Sequence, residues 1–268
     1  MADDSVFAGS IPEIYDRYLV PLIFESYARD IAARAAAFAP KHILEVAAGT
    51  GVVTRAIAKA LPDAQIVATD LNPPMLDRAA AQQRSAGHVI WRQADAQALP
   101  FEAESFDVAI CQFGAMFFPD RRGAYAEARR VLRPGGHYLF SVWDSISNNE
   151  FADVLTNALA ERYADDPPRF LARTPHGYYE PEKIFADVAA AGFSQISIET
   201  VDEQSRARTP LEAVFGYCQG TPLRGEIEAR DPQGLAEATD LAAKAIERRF
   251  GSGRVEGRIR ALVITATR

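Results

Sequence analysis

Short apolar runs alternate with helix-spaced apolar residues through residues 42–143, and few architectures satisfy that alternation. His42-Ile43-Leu44-Glu45-Val46-Ala47 reads as a buried strand that ends in a Gly-containing turn. Val52, Val53, Ala56, Ile57 and Ala60 then keep helical spacing until Pro62. Gln65–Asp70 is a second strand, with Asn72 as N-cap, Pro73 at the first helical position and Gly87 as a fitting stop. His88–Trp91, Phe106–Cys111 and His137–Trp143 make the third, fourth and fifth strands, with a helix capped by Asp120 between the last two. Pro181 starts a helix that Gly192-Phe193 closes, and Ser194–Val201 and Arg260–Thr267 supply a sixth and seventh strand. The pattern predicts an α/β fold: a doubly wound, mostly parallel seven-stranded sheet with helices on both faces.

Three segments break the alternation. Residues 1–38 hold one or two helices ahead of the first strand, 145–180 follow the fifth strand, and 202–257 separate the last two. Insertions this long are uncommon unless functional. The chain therefore reads as one domain, with a core at about 39–144, 181–201 and 258–268 and the three segments as cap elements. The last of these carries an amphipathic helix through Leu235, Leu241, Ala242, Ile246 and Phe250, which needs an apolar surface to cover.

Charge narrows the partners. A net charge of −7 with no Lys/Arg run lacks the electrostatic footprint of a nucleic-acid binder. Met1-Ala2-Asp3-Asp4-Ser5 has neither the basic start nor the apolar stretch of a secretory signal, and no run is long enough to span a bilayer. Cys111 and Cys218 are expected as isolated thiols, which fits a cytoplasmic protein. No His/Cys/carboxylate cluster has metal-ligand spacing, so no metal is expected.

In doubly wound sheets, ligands bind beyond the carboxyl ends of the strands, so the residues just after each strand carry the function. Glycines in Glu45-Val46-Ala47-Ala48-Gly49-Thr50-Gly51 let backbone approach a ligand, although a tight turn alone explains them equally well. Asp70 ends the second strand, where a carboxylate can accept both hydroxyls of a ribose or simply cap the next helix. Asp95, in Gln93-Ala94-Asp95-Ala96, can read the amino edge of adenine beside a backbone amide, or form a plain turn. Together these positions would line one nucleoside-shaped crevice.

Five segments in order resemble the class I S-adenosylmethionine-dependent methyltransferases. They are Ile43–Gly51, then Ala68-Thr69-Asp70-Leu71 with Met75-Leu76, then Ala94-Asp95-Ala96 with Leu99-Pro100-Phe101, then Ser105–Val108, and last Arg130–Gly136. The likeness covers residues 40–144 well and the last strand loosely, and is greatest to the small-molecule subgroup that includes ubiquinone and menaquinone biosynthesis C-methyltransferases. It implies S-adenosylmethionine as cofactor, S-adenosylhomocysteine as product and a small-molecule acceptor. It also implies that Ala47, Gly49 and Gly51 face the methionine part, that Asp70 binds the ribose and Asp95 with Ala96 the adenine, and that Glu45, Leu71 and Met75 belong to the same cofactor site. Gln112 would lie near the methionine end, and Tyr15 or Tyr18 would supply an aromatic ring over the cofactor. Ala47 departs from the family, which usually has glycine there.

Asn72-Pro73-Pro74-Met75 is similar to a signature of amide and adenine N-methyltransferases, but that signature follows the fourth strand and this one follows the second. His42, His88 and His137 open strands at the end away from the crevice, which leaves His176 as the one histidine placed to act as a general base. Two other readings stay open on the residues alone: a non-catalytic S-adenosylmethionine-binding protein, and a nucleotide-dependent oxidoreductase, which would want a better dinucleotide turn.

Overall fold

The computed structural model describes residues 7, 9–83 and 88–268. Met1-Ala2-Asp3-Asp4-Ser5 and the expected helix stop at Gly87 lie outside the described residues. In chain order the elements are α1 (Ile11–Ile14), a π-helix (Tyr15–Phe24), α2 (Glu25–Ala36), β1 (His42–Val46), α3 (Val52–Ala60), β2 (Gln65–Asp70), α4 (Pro73–Gln82) and β3 (Val89–Gln93). There follow β4 (Phe106–Gln112), α5 (Arg121–Val131), β5 (Leu132–Trp143), α6 (Glu150–Arg162), α7 (Phe170–Arg173) and α8 (Pro181–Ala190). The chain ends with β6 (Ser194–Ala207), α9 (Pro210–Gln219), α10 (Leu223–Arg230), α11 (Leu235–Phe250) and β7 (Val255–Thr267).

The strands form a seven-stranded sheet in the order β3-β2-β1-β4-β5-β7-β6. β1 pairs in parallel with β2 and β4, β2 with β3, and β4 with β5. β7 runs antiparallel to β5: Gly135 N–H donates to Arg268 O at one end and Asp144 N–H to Arg260 O at the other. Register places Val46 opposite Thr69, Asp70 opposite Gln93 and Gln112 opposite Ser141, so the carboxyl ends of the first five strands finish together.

β6 and β7 are longer than their sequence patterns indicate, reaching Ala207 and beginning at Val255. The added part of β6, Asp202 onward, is polar on both faces at the sheet edge, so no apolar alternation marks it. Cross-strand ion pairs mark it instead: Arg260 with Asp202 at 2.7 Å and Arg206 with Glu256 at 3.1 Å. β5 also starts earlier, at Leu132, running through Pro134-Gly135-Gly136 with a register irregularity opposite Phe106 and Val108. Gly136 is compulsory there, because a Cβ would stand 2.9 Å from both Arg133 O and Asp107 O.

The chain divides into two compact units. One, the sheet unit, comprises Glu25–Val142, Tyr179–Val201 and Ala261–Arg268. On one face of its sheet, Ala28, Ile31 and Ala35 of α2 and Val53 and Ile57 of α3 close over Ile43, Ile66, Val108, Ile110 and Leu139. On the other face the rings of Tyr125, Tyr138, Phe140 and Phe193 pack at 5.0–5.9 Å. Burying one such ring is worth roughly 1.5–3 kcal/mol, so this small stack is a principal contributor.

The helical unit comprises the described residues of Met1–Phe24, Trp143–Tyr178 and Asp202–Arg260. α11 packs on α6 and α9, with Phe250 edge-on to Phe151 at 5.1 Å. α9 meets the π-helix through Gly216 and Gly220, where Cβ atoms would stand 3.1 Å from Leu19 N and 3.0 Å from Tyr15 N. Pro21 lies inside the π-helix and lacks the N–H an α-helix would use there. Ser205 Oγ donates to the buried Leu22 carbonyl at 2.8 Å and so satisfies a group the irregular helix leaves over. Among the described residues, no helix is long and apolar enough to cross a membrane.

Candidate functional site

The turn after β1 is built from strained backbone. Ala47, Gly49 and Gly51 all have positive φ, at +55°, +56° and +78°. That costs glycine nothing, but it disfavours Ala47 because its Cβ crowds the carbonyl. The turn holds this shape through Ala48 N–H to Thr69 O (2.8 Å), Gly51 N–H to Ala48 O (2.9 Å) and Arg55 Nη1 to Thr50 O (2.7 Å). Gly51 admits no side chain, since a Cβ would come 2.7 Å from Trp91 Cη2. The Ala47 methyl is accommodated from the turn after β4, where Gly114 leaves the room; a Cβ on Gly114 would stand 2.5 Å from that methyl and 2.8 Å from Cys111 Sγ.

Asp70 sits at the mouth of this turn, 7% exposed. Gly49 N–H donates to its Oδ2 at 2.8 Å, and Asn72 N–H to its Oδ1 at 2.8 Å. The Asn72 side chain does not cap α4 as its position predicts: its Nδ2 donates to Asp70 Oδ1 at 3.4 Å instead. Burial pushes the Asp70 pKa up, and the hydrogen bonds from Asn72 and Gly49 oppose the shift. A carboxylate oxygen accepts at two positions, so Oδ2 retains one for an incoming hydroxyl. Leu71, next in sequence, is 49% exposed, with its carbonyl held by Gln93 Nε2 at 3.0 Å. Met75 packs beside the turn on α4, its Cε 3.7 Å from where a Gly49 Cβ would lie.

Asp95 is exposed after β3, in a loop tied by Ala94 N–H to Asp70 O at 3.1 Å. Its Oδ1 accepts from Gln97 N–H at 2.9 Å, and the Gln97 Oε1 accepts from Asp120 N–H at 2.9 Å. Ala96 is buried behind it. Gln112 ends β4 opposite Ser141. Glu45 lies under the turn, 2% exposed, and accepts from Thr54 Oγ1 at 2.6 Å. Burial raises its pKa to about 8, with the Thr54 hydroxyl and Arg55 pulling down and Asp70 pushing up.

The sheet unit thus brings together Glu45, Ala47, Gly49, Gly51, Asp70, Leu71, Met75, Asp95, Ala96 and Gln112 at the carboxyl ends of its strands. Sequence reasoning missed Gly114, whose signal is a glycine directly after the fourth strand, and two hydroxyls. Thr50 Oγ1 and Ser141 Oγ are buried at this end of the sheet and have no hydrogen-bond partner among the described residues. Unmet buried polar atoms at the same end of the strands as an anchored carboxylate and an exposed leucine suit a ligand with polar and planar parts. A nucleoside bearing an amino acid has both.

Tyr15 and His176 belong to the helical unit. There Phe7, Tyr15, Phe24, Trp143 and His176 follow one another ring to ring at 6.0, 5.2, 5.8 and 6.1 Å. His176 is 5% exposed, and its Nδ1 lies 2.8 Å from Asp144 O. Burial lowers its pKa to about 4, against the opposing pull of the Asp144 carbonyl. The ring is therefore neutral, with the proton on Nδ1 and Nε2 left as acceptor. At the opposite, amino ends of the central strands, Arg133 and the Asp107 carboxylate pair beside His42, and Phe38 stacks on His137 at 3.8 Å. Cys111 and Cys218 are free, buried thiols, both pushed by burial to about 12.

Residues 44–140 match the family model described as "Methyltransferase domain". A demethylmenaquinone methyltransferase of Thermus thermophilus is 33% identical over 168 residues, covering 58% of this chain and 76% of that protein. The corresponding protein of Deinococcus radiodurans is 30% identical over 212 residues, covering 72% of this chain and 85% of that one. Among solved structures, the YcgJ protein of Bacillus subtilis superposes with a TM-score of 0.58 at 20% identity, covering 91% of this chain and 98% of that chain. A phosphoethanolamine N-methyltransferase of Haemonchus contortus, solved with S-adenosylhomocysteine, gives a TM-score of 0.54 at 16% identity, covering 97% of this chain and 61% of that chain.

Proposed function

From the premise that this chain belongs to the S-adenosylmethionine-dependent methyltransferases, we propose that its acceptor is a small aromatic molecule and that its two units divide the work. The sheet unit binds the cofactor and the helical unit recognises the acceptor. The observation that carries the cofactor half is the Asp70 carboxylate, held by the glycine turn at 2.8 Å and flanked by exposed Leu71. Asp70 accepts from the ribose hydroxyls, Asp95 and the Ala96 amide read the adenine edge, and Leu71 and Met75 give its plane an apolar bed. Ala47, Gly49 and Gly51 bring backbone to the methionine part, with Glu45 beneath and Gln112 beside it.

S-adenosylmethionine supplies a methyl group already activated on a sulfonium. The chain's task is then position and exclusion of water, and alignment alone lowers such a barrier by up to about 7–11 kcal/mol. Aromatic faces favour a cation, and the ring series from Tyr15 to Trp143 suits a planar acceptor. The two relatives named for a demethylmenaquinone substrate favour such a ring. His176 keeps Nδ1–H on the Asp144 carbonyl and offers Nε2 to an acceptor hydroxyl that must lose its proton. Free thiols at Cys111 and Cys218 favour action in the cytoplasm.

Two measurements test this. Calorimetry should show that S-adenosylmethionine and S-adenosylhomocysteine bind the purified chain without added metal; folded protein that binds neither overturns the reading. Turnover with hydroxylated aromatic acceptors should then produce S-adenosylhomocysteine. His176→Asn should lower kcat there and leave cofactor affinity unchanged, whereas an unchanged kcat and pH profile would reduce His176 to a tie between Asp144 and the loop that carries it.

A further inference from the structure

The start of α9 is surrounded by groups the methyl-transfer site does not use. Thr209 caps the helix by accepting from Glu212 N–H at 3.2 Å, and around it lie two adjoining hollows, both within the helical unit. The larger, about 390 Å³, is lined by Tyr18, Arg208, Thr209, Leu211, Glu212 and Phe215. The smaller, about 160 Å³, shares Arg208 and Glu212 and adds Arg206, Arg254 and Glu256. One compartment is apolar and aromatic: the rings of Tyr18 and Phe215 lie 4.9 Å apart, and Leu211 is 45% exposed. An exposed leucine beside two half-buried rings is surface that gains by being covered.

The other compartment is cationic by one charge. Arg206 pairs with Glu256 at 3.1 Å and Arg208 with Glu212 at 2.9 Å. Arg254 lines the same hollow and has no hydrogen bond or ion pair among the described residues. Both Arg208 and Arg254 are exposed, so an incoming anion reaches both guanidinium groups from solvent. We propose that the joined hollows bind a small amphipathic carboxylate, with its apolar body against Tyr18, Leu211 and Phe215 and its head between Arg208 and Arg254. The single surplus charge matches a monoanion, and a planar carboxylate fits the guanidinium fork. An amine with the same body would meet repulsion, and an alcohol would leave Arg254 unmatched.

Calorimetric titration of the full chain with sodium octanoate tests this, with 1-octanol and octylamine as matched controls. Octanoate should bind with one site per chain, more weakly as salt is added, and more tightly than either control. Arg254→Gln should weaken octanoate by about tenfold, the loss of one charge-assisted contact. Leu211→Asp should abolish binding. Each variant removes an exposed side chain, so melting curves should show both still folded. Octanol binding as tightly as octanoate, unchanged affinity in folded Arg254→Gln, or no octanoate binding at all would each overturn the site.

Discussion

Asp70 and Glu45 are two carboxyl groups a few residues apart in space, placed in different electrostatic conditions. Asp70 is desolvated but receives N–H groups from Gly49 and Asn72, so an incoming ribose hydroxyl takes the acceptor position that Oδ2 retains and completes a shell that is already largely built. Asp70→Ala should therefore weaken S-adenosylhomocysteine by about 1.5–3 kcal/mol per lost charged hydrogen bond while the fold survives. Unchanged affinity by calorimetry would assign Asp70 to the turn alone. Asp95→Ala should act in the same direction but more mildly, because its carboxylate is exposed and backbone shares the adenine contact. Glu45 accepts from the Thr54 hydroxyl and feels the Arg55 charge, but burial outweighs both and takes its pKa from 4.5 to about 8. The folded chain thus holds a proton that the unfolded chain releases. Its contribution to stability is full below the unfolded value and is lost as pH rises through about 8. Denaturant midpoints between about pH 5 and pH 9 should fall in the wild type and fall less in Glu45→Gln, which mimics the protonated acid. Parallel profiles would show that Glu45 titrates normally.

The turns after β1 and β4 act as one element, because Ala47 keeps a left-handed backbone and puts its methyl where Gly114 lacks one. Gly114→Ala should cost about 1–3 kcal/mol through overpacking against Ala47 and Cys111. Ala47→Gly should stabilise slightly by relieving its positive φ, and should rescue part of the Gly114→Ala loss. A double-mutant cycle with no coupling between the two positions would show that they do not share space. Positive φ at Ala47 leaves no mark in sequence, since only a glycine there would announce it. The same limit explains which other features were legible. The strands β1, β2, β4 and β5 are apolar on both faces, so their sequence gives them away, and Asp70 and Asp95 are visible because they follow such strands. The far half of β6 is polar on both faces, and its partner in β7 begins in an Arg/Glu-rich stretch, so neither extension could be read. Asn72 has the chemistry of a cap, but Asp70 two residues earlier is the stronger acceptor and takes its amide. The π-helix was legible only as helix, because the Pro21 that favours its irregular turns also reads as an ordinary helix break.

At the scale of the whole molecule, the chain crosses between its two units at several points, and β6 and β7 each contribute residues to both. Shared strands do not require shared ligands. The candidate cofactor residues after β1, β2, β3 and β4 all lie in the sheet unit, whereas Tyr15, Trp143 and His176 lie in the helical unit. Hydrogen exchange resolves the two sets, because a ligand slows exchange where opening would release it. At a hundredfold excess over its Kd, S-adenosylhomocysteine adds about 2.7 kcal/mol to every opening that expels it. Slowing should then concentrate at residues 47–51, 70–76 and 93–97, with α9 and α11 unchanged. Adding an aromatic acceptor should slow residues 15–24 and 170–178 as well, where the π-helix and the His176 loop carry the ring series. If S-adenosylhomocysteine alone protected α9 and α11 as strongly as the glycine turn, the two units would open as one cooperative body, and the division of labour would fail. If the acceptor protected only the sheet unit, the ring series of the helical unit would be core packing, and acceptor recognition would belong to the strand ends that hold Asp70.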